Sequence, residues 1–270
     1  MDLNGKWALV TGASAGIGEA FAEALAARGA NVILTARRVD RLAMLAERLR
    51  AAHGVESLVV AADLSRAEAP IEIAAAVAAA GKPVDILVNN AGYGQPGHFQ
   101  DVEWPVHRDF IELMMSSYAH LVRLFLPPMQ QRGYGRIVNV ASVAGLIPGS
   151  AGHTLYGAVK AFLISFSQSL AAENAGKGVN VSALCPGFTN SEFHDVNNTR
   201  ALITALPRYM FMEAKPVVEG ALDAVERGHV VYVPGMWNKF VITLIRFLPR
   251  PWGAALVHRQ SQKFRRREEG

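Results

Sequence analysis

Short runs of β-branched and other apolar residues alternate with longer alanine- and leucine-rich stretches along most of the chain, and this alternation leaves few folds open. Strands are predicted near 6–10, 31–35, 57–61, 84–88, 135–140, 179–184 and 229–233. Helices are predicted between them, near 17–28, 39–51, 67–80, 105–131, 155–174 and 216–227. Runs such as Ile86-Leu87-Val88 and Ile137-Val138 are apolar at every position, so both faces of these strands are expected to be covered. Such strands separated by helices build a parallel sheet with helices on both sides, because each parallel pairing needs a crossover long enough to hold a helix. The expected class is α/β, a doubly wound parallel sheet of about seven strands. No Pro/Gly/Ser-rich linker or internal repeat divides the 270 residues, 51% of which are apolar and 19% charged, so one domain with a sizeable core is expected.

The first strand runs into Thr11-Gly12-Ala13-Ser14-Ala15-Gly16-Ile17-Gly18, and a helix follows. Glycine permits the turn's unusual dihedrals and a close approach of backbone to a pyrophosphate. The helix N-terminus offers N–H groups and a positive dipole end to the anion. Gly12, Ser14, Gly16, Ile17 and Gly18 are therefore candidate nucleotide-binding residues. A glycine triplet alone suits any tight strand-to-helix turn; its place after the first strand of a βα series favours the nucleotide. Twenty residues beyond Gly16, an NAD site would carry an acidic residue for the ribose 2′-hydroxyl. This chain has Ala36 followed by Arg37 and Arg38. An arginine fork suits a 2′-phosphate, so NADP(H) is the expected cofactor, the alternative being a solvated arginine pair opening the second helix.

Tyr156 and Lys160 stand four residues apart and share one helix face, with Ser142 fourteen residues upstream of Tyr156 at the end of the fifth strand. A free phenol has a pKa of roughly 10. A nearby ammonium and the positively charged oxidised nicotinamide favour phenolate and are expected to lower that value toward the range where acid–base catalysis is efficient. Ser142 can donate to an oxygen on which charge develops. On an isolated amphipathic helix such a tyrosine and lysine are more often packing and a solvated charge. The glycine-rich turn upstream moves the balance toward proton transfer coupled to hydride transfer at a carbonyl carbon.

Together these residues resemble the classical short-chain dehydrogenase/reductase family over roughly residues 4–235. The motifs are Thr11 to Gly18, Asp63-Leu64 after strand three, Asn89-Asn90-Ala91-Gly92 after strand four, Ser142, Tyr156-Gly157-Ala158-Val159-Lys160, and Pro186-Gly187 after strand six. The resemblance implies a single-domain Rossmann fold and an NADP(H)-dependent enzyme interconverting a ketone and a secondary alcohol, with Ser142, Tyr156 and Lys160 catalytic. It implies that Asp63 and Leu64 flank the adenine, and that Asn90, with Ala91 and Gly92, lies along the adenosine ribose. Lys160 would hold the nicotinamide ribose, and Tyr156 would protonate the oxygen in reduction. Pro186, Gly187 and the residues to Ser191 would lie against the nicotinamide, with Thr189 or Ser191 near its carboxamide. Asp63 could instead cap a helix, and the Asn-Asn-Ala-Gly run could be a turn. A homodimer or homotetramer is a further family implication, and the segments 160–167 and 233–235 look most like a ketoacyl reductase-like subgroup. One departure stands out: counting back from Leu126-Pro127-Pro128-Met129 puts Met114 where the family usually has a catalytic asparagine. A thioether cannot replace an amide's hydrogen bonds, which leaves Ser116, Ser117 or a backbone carbonyl to carry the relay.

Residues 188–215 hold Phe188, Phe193, Leu202, Ile203, Tyr209 and Phe211 and are expected to cover a lipophilic substrate such as a 3-oxoacyl, steroid or aromatic ketone, or else to complete the core. His153 could line the same space, although a lone histidine is more often a local hydrogen-bonding residue. No His/Cys/carboxylate spacing suggests a metal. The single cysteine, Cys185, and an N-terminus without signal-peptide features make a cytoplasmic protein the expectation. The net charge of +4 is uneven: residues 236–270 carry eight Lys/Arg and two Asp/Glu, leaving 19 against 21 elsewhere. This gives no reason to expect a nucleic-acid partner. The amphipathic run 236–248, with its basic continuation, could lie on a membrane surface, pack on the body of the protein or meet another subunit, with 263–270 expected to be disordered. The rival functional readings are a catalytically weak nucleotide-binding sensor or scaffold, motivated by Met114, and a membrane-peripheral lipid reductase.

Overall fold

The computed structural model describes residues 2–95, 97–149, 151–152, 154–190, 210–249 and 252–253. Its centre is a parallel sheet of seven strands: β1 (Trp7–Thr11), β2 (Asn31–Ala36), β3 (Ser57–Ala61), β4 (Ile86–Asn89), β5 (Gly135–Val140), β6 (Val179–Leu184) and β7 (Val231–Tyr232). They lie in the order β3-β2-β1-β4-β5-β6-β7. β1 pairs with β2 through Ala8↔Val32 and with β4 through Ala8↔Ile86, so the direction of winding reverses between β1 and β4. Every residue of β1, β4 and β5 is buried, including the polar Thr11, Asn89, Arg136 and Asn139 beside the apolar runs.

The two faces of the sheet feed separate cores. Ala8, Val10, Val32, Leu34, Ile86 and Val88 point to one, where they meet the buried sides of α1 (Gly16–Ala26), α2 (Val39–His53) and, later in the chain, the helix after residue 213. Trp7, Leu9, Ile33, Leu87 and Ile137 point to the other, under α3 (Ala69–Ala79) and the long helices that follow. Strand periodicity of two thus assigns each side chain to one helix layer.

The single helix expected over 105–131 is broken. α4 (Trp104–Ile111) passes through a π turn at Glu112–Ser116 into α5 (Ser117–Arg132), the Ser117 N–H donating to the Glu112 carbonyl five residues back. The π turn occupies only five residues, too short a stretch for helical periodicity to set apart from the α-helix on either side. Next come α6 (Thr154–Glu173), the short parallel pair Thr189–Asn190 with Met212–Glu213, α7 (Ala214–Glu226) and α8 (Met236–Phe247). The predicted site residue Ser191, His153, the expected cover segment over 191–209 and the tail 263–270 lie outside the described residues.

Candidate active site

The crevice at the carboxyl ends of β1 and β4 is shaped by close backbone contacts. Gly12 and Gly16 adopt left-handed φ values of 65° and 60°. A Cβ on Gly18 would run into the Gly12 carbonyl and the Asn90 amide, so α1 approaches the turn as only glycine allows. Ala15, which caps α1, supplies no side-chain hydrogen bond, so the first N–H groups of the helix have no side-chain cap in front of them. Thr11 joins the two strands: its hydroxyl donates to the Val88 carbonyl (3.3 Å) and accepts from the Asn90 N–H (2.8 Å) and the Ala91 N–H (3.0 Å). The Asn90 amide donates to the Thr11 carbonyl at 2.9 Å, so in this structure it staples the glycine turn to β4. Sequence reasoning assigned Thr11 no such role, although a threonine opening the glycine turn was the available signal.

Around this crevice the arginine pair separates. Arg38 donates to the Ser14 hydroxyl from Nε (3.2 Å) and from its terminal nitrogen (3.0 Å), whereas Arg37 is largely exposed and 3.9 Å from Asp63. Asp63 accepts from the Ser65 N–H (3.1 Å) and hydroxyl (2.8 Å), bracing a turn rather than capping a helix, since α3 has its N-cap at Glu68. Leu64 is buried with Ile73 and Val77 in the second core. The site therefore pairs a glycine cradle and a helix N-terminus with a cation over the first turn, a donor set that fits the phosphates of a dinucleotide.

Ser142, at the carboxyl end of β5, Tyr156 on the first turn of α6, and Lys160 one turn later meet beside the end of β6. The Ser142 hydroxyl accepts from the Ala144 N–H at 3.2 Å, donates toward the Pro186 carbonyl at 3.4 Å, and hydrogen-bonds the Tyr156 phenol. Lys160 is buried; its ammonium donates to the Val140 carbonyl at 2.7 Å and lies 5.5 Å from the centroid of the Tyr156 ring. Gly145 makes this packing possible, because a Cβ there would stand 2.5 Å from the Lys160 carbonyl carbon. Burial raises the Tyr156 phenol above its ordinary pKa, and the Ser142 hydrogen bond opposes this. Desolvation also pushes Lys160 down to about 7, against the opposing pull of Cys185. A protonated phenol is the form needed to give a proton to a carbonyl oxygen.

Met114 lies in the π turn, fully buried with Phe110 and Val159 and against Tyr93, Leu155 and Tyr156. A Cβ on Gly92 would be 3.1 Å from its methyl carbon. The floor beneath the tyrosine is thus apolar. Ser117 donates its hydroxyl to the Leu113 carbonyl (2.7 Å), and Ser116, the other serine considered for the relay, is exposed.

The remaining wall comes from the end of β6 and from α8. Pro186 accepts from the Val143 N–H at 3.0 Å, and Thr189 is buried with its hydroxyl 3.3 Å from the Gly187 carbonyl. Phe188 and Phe211 bring their rings to 5.8 Å. Asn238 of α8, which sequence reasoning passed over, lies against Gly187 where a side chain would collide with its amide, and that amide donates to the Pro234 carbonyl at 2.8 Å.

A parallel sheet that reverses its winding above a glycine cradle, with a serine, a tyrosine and a lysine brought together at the same edge, defines a nicotinamide-dependent oxidoreductase. Residues 6–201 match the family model described as short chain dehydrogenase, and the chain belongs to that family. It is 40% identical over 205 residues to the 3-oxoacyl-[acyl-carrier-protein] reductase FabG of Escherichia coli (strain K12), covering 75% of this chain and 79% of that one. Among solved structures it is similar to a short-chain dehydrogenase from Sphingobium yanoikuyae in complex with NADPH, at 32% identity and a TM-score of 0.79 over 90% of this chain and 96% of the other. It is also similar to a short-chain dehydrogenase/reductase from Burkholderia phymatum in complex with NAD, at 29% identity and a TM-score of 0.78 over 91% and 94%.

Proposed function

We propose that this protein is an NADP(H)-dependent reductase of a lipophilic ketone. The observation that carries the proposal is the junction of half-buried Tyr156 with buried Ser142 and Lys160, beside the crevice that Arg38 overlooks. NADPH, when bound, supplies the hydride. Ser142 donates a hydrogen bond to the carbonyl oxygen, and the phenol of Tyr156 gives that oxygen its proton as negative charge builds. Lys160, held by the Val140 carbonyl, keeps the tyrosine in place and favours its ionised form once the proton has left. Arg38, already over Ser14, pairs with a 2′-phosphate through its planar fork. Support for the cofactor also comes from the NADPH-bound Sphingobium relative, and support for a 3-oxoacyl-type substrate from the FabG relative. Phe188 and Phe211 favour an apolar substrate.

Purified protein is mixed with NADPH or NADH and a panel of ketones and 3-oxoacyl thioesters while the absorbance of the reduced cofactor is followed. NADPH oxidation in preference to NADH is expected, falling by roughly 100-fold or more in Tyr156→Phe, the scale of a lost general acid. Binding without turnover across the panel would replace this reading with the sensor or scaffold that Met114 suggests, and Met114→Asn would then be the next variant.

A further inference from the structure

α8 turns an apolar face outward. Met236, Phe240, Leu244 and Phe247 recur at helical spacing and are 79%, 58%, 45% and 83% exposed, with Trp237 beside the first turn and Trp252, 68% exposed, just past the end. The opposite face, Asn238, Val241, Ile242 and Ile245, is half-buried against the body of the protein. Lys239 and Arg246, seven residues apart, form one flank of the apolar stripe, and both are exposed. The segment 236–270 carries eight basic residues against two acidic ones, while the rest of the chain has a slight acidic excess, 21 against 19. Among the described residues no helix is long and apolar enough to cross a membrane. An apolar stripe edged by cations and bracketed by tryptophans is what the boundary of an anionic bilayer selects. A second copy of the chain would instead bring a like-charged flank to the same contact.

We propose that α8 is a docking helix that lays the protein on an anionic lipid surface with the mouth of the candidate site at the bilayer edge. The second half follows from packing. Asn238 sits on Gly187, and a Cβ on Gly253, just beyond α8, would stand 3.7 Å from Ile245 and 4.0 Å from Pro148 in the loop after Ser142. The helix therefore bridges two walls of the site, and a carbonyl compound dissolved in the lipid reaches Tyr156 without crossing bulk water. Docking is independent of the reductase reading; only the lipid-dissolved substrate rests on it.

The test sediments the full chain with vesicles of phosphatidylcholine alone and with vesicles about half phosphatidylglycerol. Binding to the anionic vesicles is expected, weakening about tenfold or more without phosphatidylglycerol or in high salt. The double variant Phe240→Asp/Leu244→Asp is expected to lose at least about tenfold of that binding. Lys239→Glu/Arg246→Glu, which leaves the apolar stripe whole, is expected to lose the salt-sensitive part. Both variants should keep the far-ultraviolet circular dichroism spectrum and the turnover of a water-soluble ketone, which separates a failure of docking from a failure of the enzyme reading. Absence of vesicle binding by the intact chain, or equal binding by the aspartate variant, overturns the proposal. So does an assembly, sized by light scattering without lipid, that the aspartate variant dissolves, because the face would then belong to another copy.

Discussion

Lys160 concentrates the conflict between stability and chemistry in one side chain. Its folded pKa is about 7 against an ordinary 10.5, so between those values the unfolded chain binds the extra proton. Stability of the cofactor-free protein therefore rises with pH between about 7 and 10.5, and this gain is lost as the pH falls back to about 7, where the buried amine must take up its proton. Cys185, pushed up to about 12 by burial, works in the opposite sense above its ordinary 9, so the rise is clearest between pH 7 and 9. The effect is on the order of a few kcal/mol. Urea denaturation across this range should show the slope in the wild type and not in Lys160→Met; a flat wild-type profile would mean that Lys160 stays charged in the folded chain. The identity of this lysine and its spacing from Tyr156 were legible in sequence, but the desolvation that acts on both groups was not. Spacing reports which charges are near, whereas desolvation depends on everything else packed around them, here Met114, Val159 and Leu155.

Among the elements, the strand-turn-helix at residues 7–26 is the most completely specified by local sequence. Its glycines answer to definite contacts, and Gly18→Ala would place a methyl group against the Gly12 carbonyl and the Asn90 amide. We expect this change to cost roughly 1–3 kcal/mol of stability, as overpacking does, and to weaken cofactor binding by displacing the turn. Gly149→Ala, at a site with nothing within 4 Å, is the matched control and should leave stability unchanged. Equal urea midpoints for the two variants would show that the Gly18 contact yields easily. The π turn at Glu112–Ser116 is the contrary case. The turn arises where the Ser117 N–H reaches back to the Glu112 carbonyl and the Ser117 hydroxyl donates to the Leu113 carbonyl, a local exchange of hydrogen-bond partners over five residues that helical periodicity does not register.

For the whole molecule, ligand binding and folding are coupled because the crevice is built from both halves of the sheet. NADPH at about a hundred times its dissociation constant should stabilise the fold by about 2.7 kcal/mol. For a chain of this size that raises Tm by roughly 5–10 °C. At equal concentration NADH should give less, and Arg38→Ala should remove most of the difference; equal shifts for both cofactors in the wild type would argue against the 2′-phosphate role. By itself the sequence determined the order of strands and helices, the parallel sheet and the local motifs, because hydrophobic period, glycine dihedrals and helix spacing act within a few residues. Only the tertiary structure decided that Arg38 and not Arg37 reaches Ser14, that Asn90 holds the turn from across the sheet, and that α8 closes one wall while baring its apolar face. Those outcomes depend on which side chains, distant in sequence, compete for the same space and the same water, and chain spacing does not record that competition.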